Sequence, residues 1–213
     1  MPTYLDRSLA QLKDFEGAIS WMYRDTAGRV TVAVGLMLPY PDAACALPFL
    51  LADRAASHEE IAADYARVAA LPVGHTAAFY RHPASPELAA AEIDSQLRGV
   101  LNNFESGLRT RLAGYDHLPD PIKLALLDMT YNLGLGGLFH DYPKLLEAVE
   151  AGAWAQAAGE CLRHGIGDAR NAWTKAQFLS ATVVKTIHAV ADEPAWKQLL
   201  YGIIGWAATL LEH

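Results

Sequence analysis

The sequence predicts an α+β fold in which helices dominate and one small hairpin near the N-terminus supplies the strands. Several long segments carry apolar residues three and four positions apart, a spacing typical of helices with one buried face. A single short segment, residues 30–35, alternates valine with other residues in the manner of a strand. With 213 residues, of which 52% are hydrophobic, the chain is long enough to bury a substantial core.

The first predicted helix covers residues 3–16. It begins at Thr3, and Asp6 follows at the spacing of a capping box. Its apolar stripe includes Leu12, and one further turn of the same stripe reaches Glu16. A carboxylate on a core-facing stripe is costly unless it has a purpose or a partner, so we expect Glu16 to be partly desolvated.

The predicted hairpin follows this helix. Residues 21–25 and 29–35 flank the short segment 26–28, whose Thr-Ala-Gly composition predicts a tight β-turn. The period of two along the second strand places Thr31 on the face opposite the valines.

Beyond the hairpin the pattern predicts an irregular region and then a series of helices. Residues 38–56 are rich in proline and alanine and are expected to be irregular. Ser57 and Glu60 match a second capping box, which opens a short helix that ends near residue 71. A long helix is predicted over residues 86–111, with proline at its first position. The later predicted helices cover residues 120–134, 143–151, 154–163, 168–191 and 195–209.

The expected layout is a single domain over residues 1–210. Its parts are a small lobe of about residues 15–85, a linking helix 86–111, and a helical lobe 112–210 that also holds the first helix, 3–16. Residues 211–213 look like the remnant of an expression tag.

Charge and hydropathy exclude several classes of protein. The chain has 24 acidic and 17 basic residues, a net charge of −7, which argues against general binding of nucleic acid because that requires a basic surface. No apolar segment reaches the length of a membrane span, so stable membrane insertion is not expected. No signal peptide is visible at the N-terminus.

The cysteines and histidines give no sign of a metal site or cofactor. The eight histidines include no HExxH motif, and neither cysteine lies in a nucleophile motif. Cys45 and Cys161 either form one disulfide in an oxidising compartment or remain free thiols.

Three residues near the N-terminus carry the predicted chemistry. Cleavage of a glycosidic bond needs two carboxyl groups in different environments. Glu16, expected to be desolvated, is the candidate general acid, because desolvation favours the protonated carboxyl group. Asp25, beside a solvated turn, is the candidate base, and the Thr31 hydroxyl is placed to orient the attacking water.

The segments Phe15-Glu16-Gly17, Tyr23 to Gly28 and Thr31 to Gly35 resemble the start of the phage-type lysozymes, the muramidases of glycoside hydrolase family 24. This group includes pesticin-like and secreted antibacterial effector domains. Their motif is a Glu, eight intervening residues, an Asp, five more residues and a Thr, and the intervals from Glu16 to Asp25 to Thr31 reproduce it.

A second segment, Leu126 to Gly134, resembles the family's buried helix, which ends in an aromatic-Asn-x-Gly sequence beside the substrate cleft. Two positions depart from the family pattern. Ala33 stands where the middle of the strand usually has Gly, and Leu36 stands where His is common.

The resemblance implies a lysozyme-like fold and a cofactor-independent muramidase that cleaves the β-1,4 bond between N-acetylmuramic acid and N-acetylglucosamine with inversion. Glu16, Asp25 and Thr31 would be catalytic. Tyr131, Met37 and Glu160 are candidate substrate contacts, although each position also suits a packed or solvated side chain. The partner would be the glycan strand of peptidoglycan, in the periplasm or at the cell wall.

The sequence is also compatible with two other activities. One is a wall-binding module with little turnover, and the other is a lytic transglycosylase. The biological setting is either an effector delivered by a secretion system, with a cognate immunity protein, or a phage endolysin released through a holin.

Overall fold

The computed structural model describes residues 2–191, and over this range the chain is α+β and mostly helical, as predicted. The predicted helix 195–209 and residues 211–213 lie outside the described residues. The chain forms two compact units, the first over residues 1–110 and the second from residue 111 onward.

The first unit opens with helix α1, Tyr4–Glu16. The predicted capping box is confirmed: the backbone N–H of Asp6 donates to Thr3 Oγ1 at 3.2 Å, and that of Thr3 donates to Asp6 Oδ2 at 2.9 Å. These bonds satisfy N–H groups that have no partner within the helix.

Three antiparallel strands follow, where the sequence predicted two. They are β1 (Ile19–Arg24), β2 (Val30–Ala33) and β3 (Leu36–Met37), in the order β1-β2-β3. Every residue of the central strand β2 is buried, so both the valine face and the face that carries Thr31 are covered. Two-residue strands such as β3 are stabilised by pairing with a neighbour and leave little local pattern in the sequence.

The region expected to be irregular contains short elements. They are α2 (Pro41–Cys45), β4 (Leu50–Leu51) and β5 (Arg54–Ala55). The second predicted capping box is confirmed and opens α3 (His58–Ala70), which packs against β1 and β2. A single turn of helix, α4 (Ala77–Tyr80), follows and packs against β1.

The long helix α5 covers Ala90–Arg111 and begins later than the predicted residue 86. Glu87 is held in extended backbone, because it pairs with Trp21 of β1 and with Leu50 of β4. A helix cannot start where these inter-strand bonds are made. The buried face of α5 includes Ile93, Leu97, Leu101 and Leu108, which recur at helical spacing.

The second unit is helical. After a short 3₁₀ turn its helices are α6 (Asp120–Asp141), α7 (Pro143–Glu150), α8 (Trp154–Glu160) and α9 (Asp168–Ala191). The sequence predicted that α6 would stop at Gly134. This stop is confirmed: Gly134 has φ 70° and ψ 165°, which are not helical, and a second helical stretch then runs from this kink as far as Asp141. No helix within residues 2–191 combines the length and the apolar character needed to cross a membrane.

A buried ionic cluster lies at the centre of the second unit. The Asp128 carboxylate on α6 accepts hydrogen bonds from Arg163 Nη2 at 2.7 Å, from Arg170 Nε at 2.7 Å and from Thr174 Oγ1 at 2.8 Å. Asp128 is 3% exposed. Because a buried charge needs compensation, this cluster ties α9 and the segment after α8 to α6.

Candidate functional site

Glu16 is the last residue of α1, and its side chain is exposed. The expectation that it would be desolvated on the buried stripe is therefore wrong. The stripe is buried at Leu12, but Glu16 lies one turn later, where the chain turns at Gly17 into β1. Helical periodicity predicts the face of a residue but not whether the core extends to the helix end.

Asp25 organises the turn between β1 and β2. Its Oδ1 atom accepts hydrogen bonds from the backbone N–H groups of Ala27 at 3.0 Å and Arg29 at 2.8 Å. Its backbone carbonyl accepts from Gly28 N–H at 2.9 Å. An Asp that bonds the backbone two residues later is a common turn device, and here it fixes the direction of the carboxylate.

The other carboxylate oxygen, Oδ2, is paired with Arg29. The Nε and Nη2 atoms of Arg29 both lie 2.8 Å from it. Burial alone would raise the pKa of Asp25, but the hydrogen bonds and positive charge of Arg29, with the Ala27 N–H, outweigh burial and lower it. Asp25 is thus held in its ionised form, as the sequence predicted for this residue.

Thr31 lies in the middle of a row of three residues across the sheet. In the strand register it is opposite Tyr23 of β1 and opposite Met37 of β3. Directly opposed residues of antiparallel strands project to the same face. Thr31 is 2% exposed and its hydroxyl donates to the Arg29 carbonyl at 3.2 Å, whereas the Met37 side chain is 42% exposed.

Tyr23 senses the charge of both candidate carboxylates. Burial raises the pKa of its phenol, and the negative charges of Asp25 and then Glu16 raise it further. Both carboxylates therefore lie within electrostatic range of one side chain. Sequence reasoning gave Tyr23 no role, although its position two residues before Asp25 on a strand was a signal that both project from the same face.

The remaining candidates belong to the second unit. Tyr131 lies on α6, one turn before the bend at Gly134, and is partly buried. Glu160 ends α8, is exposed, and lines an open pocket with a volume of about 480 Å³. The other polar residues that line this pocket are Asp141, Tyr142, Lys144 and His164.

The structure places Tyr23, Thr31 and Met37 in one row across the sheet, and Glu16 and Asp25 belong to the same unit and raise the pKa of Tyr23. It places Tyr131 and Glu160 in the second unit.

Both cysteines are free thiols, which settles the alternatives that the sequence left open. Cys161 is buried, and burial raises its pKa, so it is a poor nucleophile. Within residues 2–191, no group of three or more His, Cys, Asp or Glu side chains is arranged to hold a metal ion.

No protein-family model and no curated protein matches the chain.

Proposed function

We propose that this chain is a peptidoglycan muramidase of the phage-type lysozyme family, which hydrolyses the β-1,4 bond between N-acetylmuramic acid and N-acetylglucosamine. The observation that carries the proposal is that two unlike carboxyl groups lie within electrostatic range of Tyr23. Asp25 is fixed and ionised by its turn, while Glu16 lies exposed at the end of α1. A glycosidase needs two carboxyl groups with different tasks at one site.

The backbone at Ala33 gives independent support. This residue has φ 58°, in the left-handed region that favours glycine. The phage-type lysozymes usually have Gly at this point of the strand. The positive φ of Ala33 is the backbone conformation for which a glycine at this position would be suited.

In the proposed reaction, Glu16 donates a proton to the glycosidic oxygen as the bond from that oxygen to the anomeric carbon breaks. A water molecule attacks this carbon from the opposite face and loses a proton to Asp25. Inverting glycosidases in general hold their two carboxyl groups about 6.5–9.5 Å apart, which leaves room for the water. The Thr31 hydroxyl helps to orient that water.

The surroundings of Asp25 limit how it acts. A carboxylate has about four acceptor positions, and Asp25 uses them for Ala27 N–H, Arg29 N–H and the two Arg29 side-chain nitrogens. Water can bind only when the Arg29 side chain, 58% exposed, moves away from Oδ2. With its lowered pKa, Asp25 is a weak base, so it orients the water and stabilises the sugar cation first and accepts the proton only as the water adds to the anomeric carbon.

Met37, Tyr131 and Glu160 are the proposed contacts to the glycan. Sugar hydroxyl and acetamido groups require both donors and acceptors. The pocket beside Glu160 offers both, since it contains carboxylates, a lysine, a histidine and a phenol. The proposed place of action is the bacterial cell wall, for an antibacterial effector with its immunity protein or for a phage endolysin.

The first test is the release of reducing ends from purified peptidoglycan. We expect Glu16→Gln to lower the rate at least about 100-fold, since it keeps the shape and removes the general acid. Asp14→Asn is the matched control, because Asp14 is an exposed carboxylate on the last turn of the same helix. Activity of Glu16→Gln within a few-fold of the wild type would overturn the assignment.

A binding module with little turnover is the second candidate function. The occupation of all Asp25 acceptor positions by protein donors favours it. Saturable binding to wall fragments without release of reducing ends by the wild type would support this alternative. Loss of turbidity with non-reducing anhydro ends would instead indicate a lytic transglycosylase.

A further inference from the structure

The region between residues 38 and 83 takes no direct part in the proposed chemistry, yet part of it, the segment that follows α3, contacts the Asp25 turn. The segment after α3 begins at Leu71, the C-cap of that helix. The Leu71 carbonyl accepts a hydrogen bond of 2.6 Å from Arg24 Nη1. Arg24 is the last residue of β1 and directly precedes Asp25.

The same guanidinium also binds the turn. Its Nε and Nη2 atoms donate to the Gly28 carbonyl at 3.0 Å and 2.8 Å. One partly buried side chain therefore joins two backbone carbonyls from separate segments. Arginine suits this task because its planar group presents several donors in a fixed geometry.

Gly28 is the point at which the segments meet. A Cβ atom added to this glycine would lie 3.1 Å from Arg24 Nη2 and 3.1 Å from Val73 Cγ1. Its φ of 79° also lies in the region that side chains disfavour. Gly28 thus allows the turn to pack closely against both Arg24 and Val73.

We propose that Arg24 is a positioning residue that braces the Asp25 turn against the segment Leu71–Val73. The region between residues 38 and 83 then serves to hold the catalytic turn in shape. This inference rests on the proposed muramidase function for its catalytic consequence, but the brace itself is a structural claim.

The link to catalysis runs through two backbone N–H groups. Ala27 and Arg29, which donate to Asp25 Oδ1, lie on either side of Gly28. Arg24 holds the Gly28 carbonyl and so limits the movement of both neighbours. Loss of the brace would leave the Asp25 carboxylate free to turn, and small displacements of a catalytic group are expensive in rate.

The test compares Arg24→Ala with Arg81→Ala. Arg81 is a matched control, because its guanidinium also packs on β1, 4.6 Å from the Trp21 ring, but it binds Glu87 and not the turn. A second pair is Gly28→Ala and Gly74→Ala. Both glycines have positive φ, 79° and 84°, yet an added Cβ meets other atoms only at Gly28.

Two readouts are needed. Hydrogen exchange of the Ala27 and Arg29 amides reports the turn without any substrate, and we expect it to accelerate at least about tenfold in Arg24→Ala and Gly28→Ala. Steady-state kinetics should show kcat reduced at least about tenfold with KM changed less than about threefold. Melting temperatures establish that each variant is folded at the assay temperature.

The outcomes separate the two claims. Faster exchange together with lower kcat in Arg24→Ala and Gly28→Ala, but not in the controls, supports the proposal. Unchanged exchange of these two amides overturns the brace whatever the activity. Faster exchange with unchanged kcat overturns the positioning role. Faster exchange in a chain whose wild type cleaves no glycan supports the brace and contradicts the muramidase function.

Discussion

At the scale of single residues, the site depends on the burial and the hydrogen-bond partners of two carboxylates. Asp25 is ionised because four N–H groups compensate its partial burial, and its turn position was apparent from the sequence. The burial of Glu16 was predicted wrongly, because where the core ends is set by tertiary packing. The pairing of Arg29 with Asp25 was not predicted, since nothing in the local pattern shows which way an exposed arginine turns.

Removal of Arg29 tests whether this arginine lowers the pKa of Asp25. Arg29 lowers the pKa of Asp25, so Arg29→Ala should raise it and move the acid limb of the kcat/KM profile to higher pH. Above that limb, where Asp25 is ionised in both proteins, the variant should retain activity. The measurement is a pH–rate profile of the two proteins, and an acid limb that does not move would contradict the role given to Arg29.

At the scale of elements, local signals succeeded where the stabilising contacts are local. The capping boxes at Thr3 and Ser57 fixed the starts of α1 and α3, because the donors and acceptors lie three residues apart. The start of α5 was predicted too early, because the pairing of Glu87 with Trp21 and Leu50 is not local. Strands β3, β4 and β5 were missed because two residues are too few to show a period.

The N-terminus of α3 gives a prediction at this scale. Ser57→Ala should lower the free energy of unfolding by about 1 kcal/mol, since the Glu60 N–H loses its acceptor. Urea denaturation measures this change. Ser106→Ala, at an exposed site within α5, is the control, and the account fails if the two variants lose equal stability.

The stabilisation that Glu60 gives to this capping box should decrease as the pH falls. Hydrogen bonds from Arg54 and then Ser57 lower the pKa of Glu60 from 4.5 to about 2. Because the folded-state pKa lies below the ordinary value, this support is present above about pH 4.5 and is lost as the pH falls toward 2.

At the scale of the whole molecule, the second compact unit contains a cluster around Asp128 that could not be predicted from the sequence. Asp128 and Arg170 lie in separate predicted helices, and their contact joins α6 to α9 across more than forty residues. The α+β class was predictable, because it depends on periodicity and composition, whereas contacts distant in sequence were not.

The Asp128 cluster predicts a large loss of stability. Asp128→Asn keeps the shape but removes the negative charge that compensates the buried guanidinium groups of Arg163 and Arg170, at a cost of about 3–5 kcal/mol. Glu147→Gln, an exposed carboxylate on α7, should change stability by less than about 0.5 kcal/mol. Thermal denaturation compares the two, and equal melting temperatures would contradict the central place given to the cluster.

The central claim is that Glu16 and Asp25 hydrolyse glycan strands, and mass spectrometry of the soluble products tests it most directly. Isolated peptidoglycan would be digested with the wild type and with Glu16→Gln. We expect disaccharide muropeptides with a reducing muramic acid end from the wild type and none from the variant. Anhydro ends, or no products from the wild type, would contradict it.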